Sequence, residues 1–517
     1  MRLYSTAFLF SVAGCLVSQF VDAQPTLNDP ARLPCPVLMV HGLSGDPSTW
    51  SEFVNLMTSD WGWQDGGHLA YCLNGDGSNV TSTLAEVVPF TDLPVGYADV
   101  FSINFECTPG GTCYNSYVAN EDGVFSGQAA IAKQGLAMAD AILEILESTG
   151  ENEIVLVGHS MGGLAIREYL QSPEYWPPSD LSDPESAPHH HVSKVVTSGT
   201  PHAGSNFSVG WLEDLGDPIG FDIEQRSDAV RDLRSSYVYS GDPGVYLFGG
   251  EESDATMDDF LLLDFWNVDV NCDGDEDDSI VGLNEQSLPE DVEYALITSY
   301  DDLVVSAYSS DALVSFYDPP FRERFFVNGI FHLELNNAHY HTLRALDEPD
   351  TTATAYTIQT DQWYLAALSP QGTDAGQSSD RDVFQLQLAY PSTLTLSTID
   401  LPTETTYGWH SEGGFTPWSG DAPIDLPSGT HYFQIEATVV DLVSSYSFAL
   451  GAVETTGSCP EDLNGDGFIT TVDVLIGLAD YGCIVSEANS CSADIDGDGI
   501  VSVVDLLTIL GSFGLPC

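Results

Sequence analysis

One short run of this chain has the residues for covalent chemistry: Gly158-His159-Ser160-Met161-Gly162-Gly163. The β-branched stretch 153–157 precedes it, and 164–170 follows with a helical pattern. A strand, a sharp turn and a helix in that order form the setting that exposes a serine as a nucleophile. The glycines suit a turn whose flanks pack too closely for Cβ atoms. The helix start behind Ser160 adds a positive end near any charge that develops there. The chemistry implied is attack of a serine hydroxyl on a carbonyl.

Two further segments accompany it. Val40-His41-Gly42-Leu43-Ser44-Gly45 follows the apolar run 36–40, and Gly199-Thr200-Pro201-His202-Ala203-Gly204-Ser205 follows the apolar run 195–197. With the elbow, these segments resemble secreted lipases and esterases of the α/β-hydrolase fold over about 300 residues. The resemblance implies an oxyanion hole from the backbone N–H groups of Leu43 and Met161, because negative charge gathers on the carbonyl oxygen in the transition state. It also implies the order serine, acid, histidine along the chain. That order excludes His202 as the base.

The expected acid is Asp302, in Asp302-Leu303-Val304-Val305 after the strand-like run 294–300. Its neighbour Asp301 is close in sequence. Asp278-Ser279-Ile280-Val281 fits the same local pattern and is the alternative, although the acidic stretch 269–278 looks more like a cation-binding or solvated loop. The acid would hold the imidazole tautomer and stabilise the imidazolium. The expected base is His339, on the reading that 331–335 alternates as a strand, 336–338 leaves it as a loop and 340–346 starts a helix. His341 and His332 are the alternatives. The run His189-His190-His191 reads as a surface loop.

These groups need a scaffold. Runs 36–40, 98–105, 153–157, 195–197 and 294–298 read as buried strands, and 128–146 reads as a helix with an apolar face. The alternation predicts an α/β domain over 24–348. A long insertion at about 206–290 contains the apolar stretch 260–266, which suits a lid or a capping helix. Residues 349–456 change to short alternating strands such as 383–388 and 432–437, which predict a β-sandwich. That part resembles domains at the C-terminal side of secreted bacterial peptidases. A spacer or stability module is the reading, with carbohydrate or surface binding the alternative.

Residues 457–517 contain a repeat. The twelve residues from Asp462 to Asp473 recur from Asp494 to Asp505. Both have the spacing of a calcium loop, with oxygen ligands at positions 1, 3, 5, 7 and 12 and a glycine at the sharp turn. The ligands would be Asp462, Asn464, Asp466, the carbonyl of Phe468, and Asp473. In the second loop they would be Asp494, Asp496, Asp498, the carbonyl of Ile500, and Asp505. Helical runs 474–478 and 506–510 follow. Two such loops with aspartate at position 12 resemble dockerin domains, and the bracketing cysteines resemble a disulfide-bearing subtype. The resemblance implies Ca2+ and a cohesin-like or cell-surface partner.

The chain has 517 residues, 12 basic against 78 acidic, and a net charge of −66. That excludes a general nucleic-acid surface and implies a strongly solvated exterior. Residues 1–23 read as a signal peptide, with Arg2, the apolar core 7–17 and Val21-Asp22-Ala23 before the cleavage point. Val12-Ala13-Gly14-Cys15 also resembles a lipoprotein processing site. No segment is expected to span a membrane. Of ten cysteines, nine lie beyond that leader, which points to disulfides in an exported protein. Cys107 with Cys113 could close one loop, Cys459, Cys483, Cys491 and Cys517 form a set, and Cys35, Cys72 and Cys272 leave one thiol over.

The sequence therefore leads to a secreted or surface-attached serine hydrolase of ester bonds, triacylglycerol-lipase-like, needing no catalytic cofactor. An amidase or acyltransferase with the same triad is an alternative, as is a surface-binding protein with a vestigial hydrolase domain.

Overall fold

The computed structural model describes residues 31–73, 82–87, 98–105, 129–207, 228–235, 244–251, 257–258, 263–264, 270–271, 279–317, 321–370, 378–402, 404–411, 414–420, 422–440, 442–454, 460–464, 468–484, 491–495 and 498–514. The expected leader 1–23, Asp278, Asp466, Asp496, Cys15, Cys107, Cys113, Cys272, Cys459, Cys517 and most of 206–290 lie outside these.

An eight-stranded sheet carries the site. Its strands are β1 (Val37–Val40), β2 (Asp65–Leu73), β3 (Ser82–Val87), β4 (Val100–Asn104), β5 (Ile154–His159), β6 (Val192–Ser198), β7 (Glu293–Ser299) and β8 (Phe321–Val327). The order is β8-β7-β6-β5-β1-β4-β2-β3. Every neighbouring pair is parallel except β2 with β3. Strands β1, β5, β6 and β7 are buried along their whole length, as a parallel sheet covered on both faces requires. This explains why 37–40 and 154–157 read as unbroken apolar runs rather than alternating ones.

Helix α1 spans Ser51–Asp60, α2 spans Ile131–Thr149 and α3 spans Gly162–Gln171. Met138, Ile142, Ile145 and Leu146 of α2 are buried in the same cluster as Ala165, Ile166 and Tyr169 of α3. The two helices approach closely at Gly135, where a Cβ would lie 2.3 Å from Glu168 Cγ. Gly150 ends α2 in the left-handed conformation, its N–H on Leu146 O.

The described pieces of 206–290 pack as a cap over this helix pair. Ala229, Leu233, Val245, Leu247, Ile280 and Leu283 share a buried cluster with Ile131, Met161 and Leu164. Arg167 of α3 reaches through Nη2 to Leu283 O at 2.8 Å, and Gln171 Nε2 donates to the same carbonyl. Asn284 Nδ2 donates to His202 O. A further anchor runs to α2, where Asp232 Oδ2 accepts from Ile131 N at 2.9 Å, so the described pieces are held beside Ser160.

Beyond residue 349, a five-stranded and a four-stranded sheet face each other across an apolar core. Phe448 of the smaller sheet lies against Phe384 and Phe433 of the larger, with ring centroids 4.7 Å and 5.8 Å apart. This core is continuous with that of the eight-stranded sheet through Leu33, Cys35 and Val155 on one side and Tyr356, Tyr364 and Ala366 on the other. Arg32 N and O bond Trp363 O and Leu365 N, adding a backbone bridge. The two parts are therefore packed as one body.

Near the C-terminus, α5 (Thr471–Ala479) and α6 (Val503–Gly511) each begin with a capping box, Thr470 with Asp473 and Ser502 with Asp505. Cys483 and Cys491 form a disulfide. Cys35 is a buried free thiol.

Candidate active site

The site lies at the C-terminal ends of β1, β5, β7 and β8, where an open α/β sheet places its ligand crevice. Ser160 sits between β5 and α3 with φ of +53°, a conformation that β-carbon sterics disfavour. Its N–H bonds Ser198 O at 2.9 Å, and its C=O accepts from Gly163 N at 3.1 Å. The turn is closed by contacts that only glycine allows. A Cβ on Gly158 would lie 2.6 Å from Gly163 N, and one on Gly162 2.5 Å from His41 O. The strain at Ser160 is thus imposed by the surrounding packing, which is how such conformations persist at functional positions.

Ser160 Oγ lies 2.8 Å from Nε2 of His332. Nδ1 of His332 lies 2.7 Å from Oδ2 of Asp302. A carboxylate oxygen accepts, so Nδ1 carries the proton and Nε2 turns a lone pair to the serine hydroxyl. The other carboxylate oxygen of Asp302 accepts from the N–H groups of Val304 and Val305, both at 2.8 Å. Those two bonds orient the acid, and the acid orients the ring.

This geometry corrects the expectation for the base. His339 begins a short helix, α4 (His339–Ala345), and packs edge-on against Phe53. His341 packs against Phe325. Neither meets Ser160 or Asp302. The segment expected as a strand at 331–335 is instead part of a 3-10 turn, His332–Asn337. The last strand is β8, at 321–327, so the loop after it delivers His332 rather than His339. Asp302 is the acid that His332 meets, whereas Asp301 Oδ2 accepts from Gly329 N.

Leu43 and Met161 flank the serine as the motifs imply. Among the described residues, neither backbone N–H has a hydrogen-bond partner. Gly42 lets the Leu43 loop approach, since a Cβ there would lie 2.7 Å from Ser160 Cβ. His41 fixes that loop: Nδ1 donates to Gly42 O at 2.8 Å, and Nε2 accepts from Phe105 N at 3.2 Å. Burial holds His41 neutral, with its pKa lowered to about 4.

Gly199 is a site residue that sequence reasoning placed in a motif without a role. Its φ is +61°, and a Cβ there would meet Leu335 Cδ1 at 2.7 Å, His332 Nδ1 at 3.3 Å and Asp302 Oδ2 at 3.4 Å. His202 is structural. It is fully buried, its Nε2 faces Thr197 Oγ1, and burial lowers its pKa well below the usual value.

A cavity of about 200 Å³ opens onto Ser160. Phe207, Leu233, Val304, Val305 and Pro201 give it an apolar wall, and Thr49 and Asn336 a polar one. A serine hydroxyl beside an oriented imidazole, the N–H groups of Leu43 and Met161 and an apolar cavity form an arrangement that suits attack on an acyl carbonyl.

Two clusters bear on metals. His189 Nδ1 and His190 Nδ1 accept the backbone N–H groups of His191 and Val192. Both rings therefore present Nε2–H to Asp291, and a metal on either Nε2 would leave that ring without a proton. Asp347, Glu348, Asp350, Asp380 and Asp382 form two overlapping sets, each with its oxygens within 4.8 Å of one another. Such oxygens could hold a hard cation. Residues 347–350 and 380–382 are about thirty positions apart, so nothing in the sequence signalled their proximity.

Residues 34–212 match the PGAP1-like alpha/beta domain family. With the parallel sheet order, this gives an α/β-hydrolase-like fold. No curated protein is a significant match to the chain. Among solved structures, a Listeria innocua gene product is similar at 14% identity and TM-score 0.33, over 62% of this chain and 96% of that one. The mature form of a Bacillus licheniformis lipase is similar at 16% and 0.28, over 62% and 93%. A Paleococcus ferrophilus monoacylglycerol lipase is similar at 14% and 0.26, over 58% and 88%. Likenesses this distant say nothing about substrate. No described helix is long and apolar enough to cross a membrane.

Proposed function

We propose that the chain is a serine hydrolase of carboxylic esters, acting through an acyl-enzyme on Ser160. The observation that carries this is the relay Ser160 Oγ to His332 Nε2 at 2.8 Å and His332 Nδ1 to Asp302 Oδ2 at 2.7 Å. His332 takes the serine proton as Oγ bonds the carbonyl carbon, and the oxyanion falls to the N–H groups of Leu43 and Met161. His332 then gives the proton to the leaving alcohol. Water, activated by the same ring, releases the acid. The apolar wall of Phe207, Leu233 and Val305 suits the acyl part of a lipid-like ester.

We read 349–456 as a β-sandwich fused to the hydrolase, and 457–517 as a dockerin-like module tethering an exported enzyme to a cohesin-like or cell-surface partner. Calcium suits the C-terminal loops. Asp494 Oδ1 is buried without a hydrogen-bond partner, while Oδ2 accepts from Gly499 N. Asp473 and Asp505 are fully buried and fold back over their loops, onto Asn464 N and Ile495 N. The cation would fix each loop against its helix and takes no part in ester chemistry.

The test is hydrolysis of p-nitrophenyl esters of increasing chain length by the full protein and its Ser160→Ala variant. Turnover lost in the variant supports the reading. Equal turnover in both, or none in either with the protein folded, rejects it.

A further inference from the structure

We propose that His159 is a positioning residue for the base, holding His332 in register with Ser160 through the backbone carbonyl of His332. The inference rests on the serine-hydrolase reading above. His332 lies on neither a regular helix nor a strand but at the start of a short 3-10 turn. Asp302 fixes its ring, yet the ring can serve Ser160 only if the backbone beneath it stays in place. Nε2 of His159 lies 2.8 Å from His332 O. A carbonyl only accepts, so Nε2 of His159 must donate.

The link is short in sequence as well as in space. His159 is the last residue of β5, bonded directly to Ser160. One peptide unit therefore carries the nucleophile on one side and the anchor of its base on the other. Any shift of β5 moves both together, which keeps the Oγ to Nε2 distance constant. A positional error of about 1 Å between reacting groups can cost roughly 10²-fold in rate.

The side chain is built to keep one orientation. It is 5% exposed, with the Trp50 ring perpendicular at 6.3 Å and the His332 ring tilted at 5.0 Å. It must also stay uncharged, since an imidazolium that close would oppose the charge that His332 gains during attack. Burial, and then the neighbouring His332, lowers its pKa to about 3, which keeps it neutral. The remaining anchors of the turn, Ser198 Oγ on Leu335 O and Asn336 Nδ2 on Thr49 O, lie further along it. Among the described residues, the side-chain hydrogen bond to the backbone of His332 itself comes from His159.

The experiment compares His159→Leu, His159→Gln and His159→Asn in the full chain. The readouts are the rate of Ser160 labelling by a fluorophosphonate, kcat and KM on a p-nitrophenyl ester, and thermal unfolding. Glutamine places an amide N–H near the position of Nε2, whereas asparagine falls short and leucine has no donor. The proposal predicts labelling and kcat lowered roughly 10- to 10²-fold in Leu and Asn, KM little changed, and rates restored by Gln. If Leu does not fold, Gln against Asn decides. Equal labelling rates in wild type and Leu, or in Gln and Asn, overturn the positioning role and leave the hydrolase reading intact. Absence of Ser160 labelling in the folded wild type overturns both.

Discussion

A side chain on Gly199 would stand 3.3 Å from Nδ1 of His332, beside the atom that carries the proton shared with Asp302. It would also press on Leu335 in the turn behind the ring. The left-handed backbone at this position adds about 1 kcal/mol or more for any residue with a β-carbon. Gly199→Ala should therefore lower stability by about 1–3 kcal/mol, by strain and overpacking, and lower kcat about tenfold or more by displacing the ring. Thermal unfolding and ester hydrolysis measured on the same preparation check both parts.

Asp302 holds two N–H bonds besides the one to His332, so Asp302→Asn keeps much of the local geometry but no longer fixes the imidazole tautomer. The expected loss of kcat is on the order of 10⁴-fold, with little change in unfolding temperature. Steady-state kinetics at constant pH give the answer. A loss below tenfold would remove Asp302 from the relay.

Asp99 links two loops, accepting from Leu33 N and Gln64 N at 2.7 Å each. Burial, opposed by those two bonds, raises its pKa from 3.8 to about 7. The folded state then keeps a proton that the unfolded chain has released. This contribution to stability is fully present below pH 3.8 and is lost as pH rises through about 7. The stability advantage of wild type over Asp99→Asn should thus be larger near pH 4 than near pH 8. Chemical denaturation of both proteins across that range measures it.

Leu233 and Val305 line the apolar wall of the cavity. The cavity holds about 200 Å³. Leu233→Trp should fill it, reducing kcat/KM most for the longest p-nitrophenyl esters and least for acetate. A uniform reduction would place the acyl group elsewhere.

Removing calcium should act on the C-terminal module and not on the ester site. Chelation, or Asp473→Ala with Asp505→Ala, is expected to speed proteolysis within 460–514 while the turnover of a soluble ester stays the same. Limited proteolysis with and without chelator checks this. The calcium-loop reading is rejected if added calcium gives no protection.

The strained turn at Ser160 was legible in the sequence because everything that shapes it is local. A strand, two close-packed glycines and a helix start lie within a dozen residues, and the oxyanion loop is equally compact. The position of Asp302 was legible as a loop after a strand. The histidine that meets it was not. The alternation of Phe331-His332-Leu333-Glu334-Leu335 imitates a strand, but the sheet's last member is β8, whose Phe321-Arg322-Glu323-Arg324 start looks polar. Only pairing with β7 reveals it. The positions of His159 and Gly199 relative to His332 were equally hidden, because residues far apart in sequence create those contacts. The same holds for the five carboxylates around Asp347 and Asp382.

The most direct test of the account is ester turnover by His332→Ala and His339→Ala, both folded, beside wild type. The geometry predicts that His332→Ala loses kcat by roughly 10⁴-fold or more while His339→Ala stays within a few-fold of wild type. The opposite result, turnover kept without His332 and lost without His339, would contradict it.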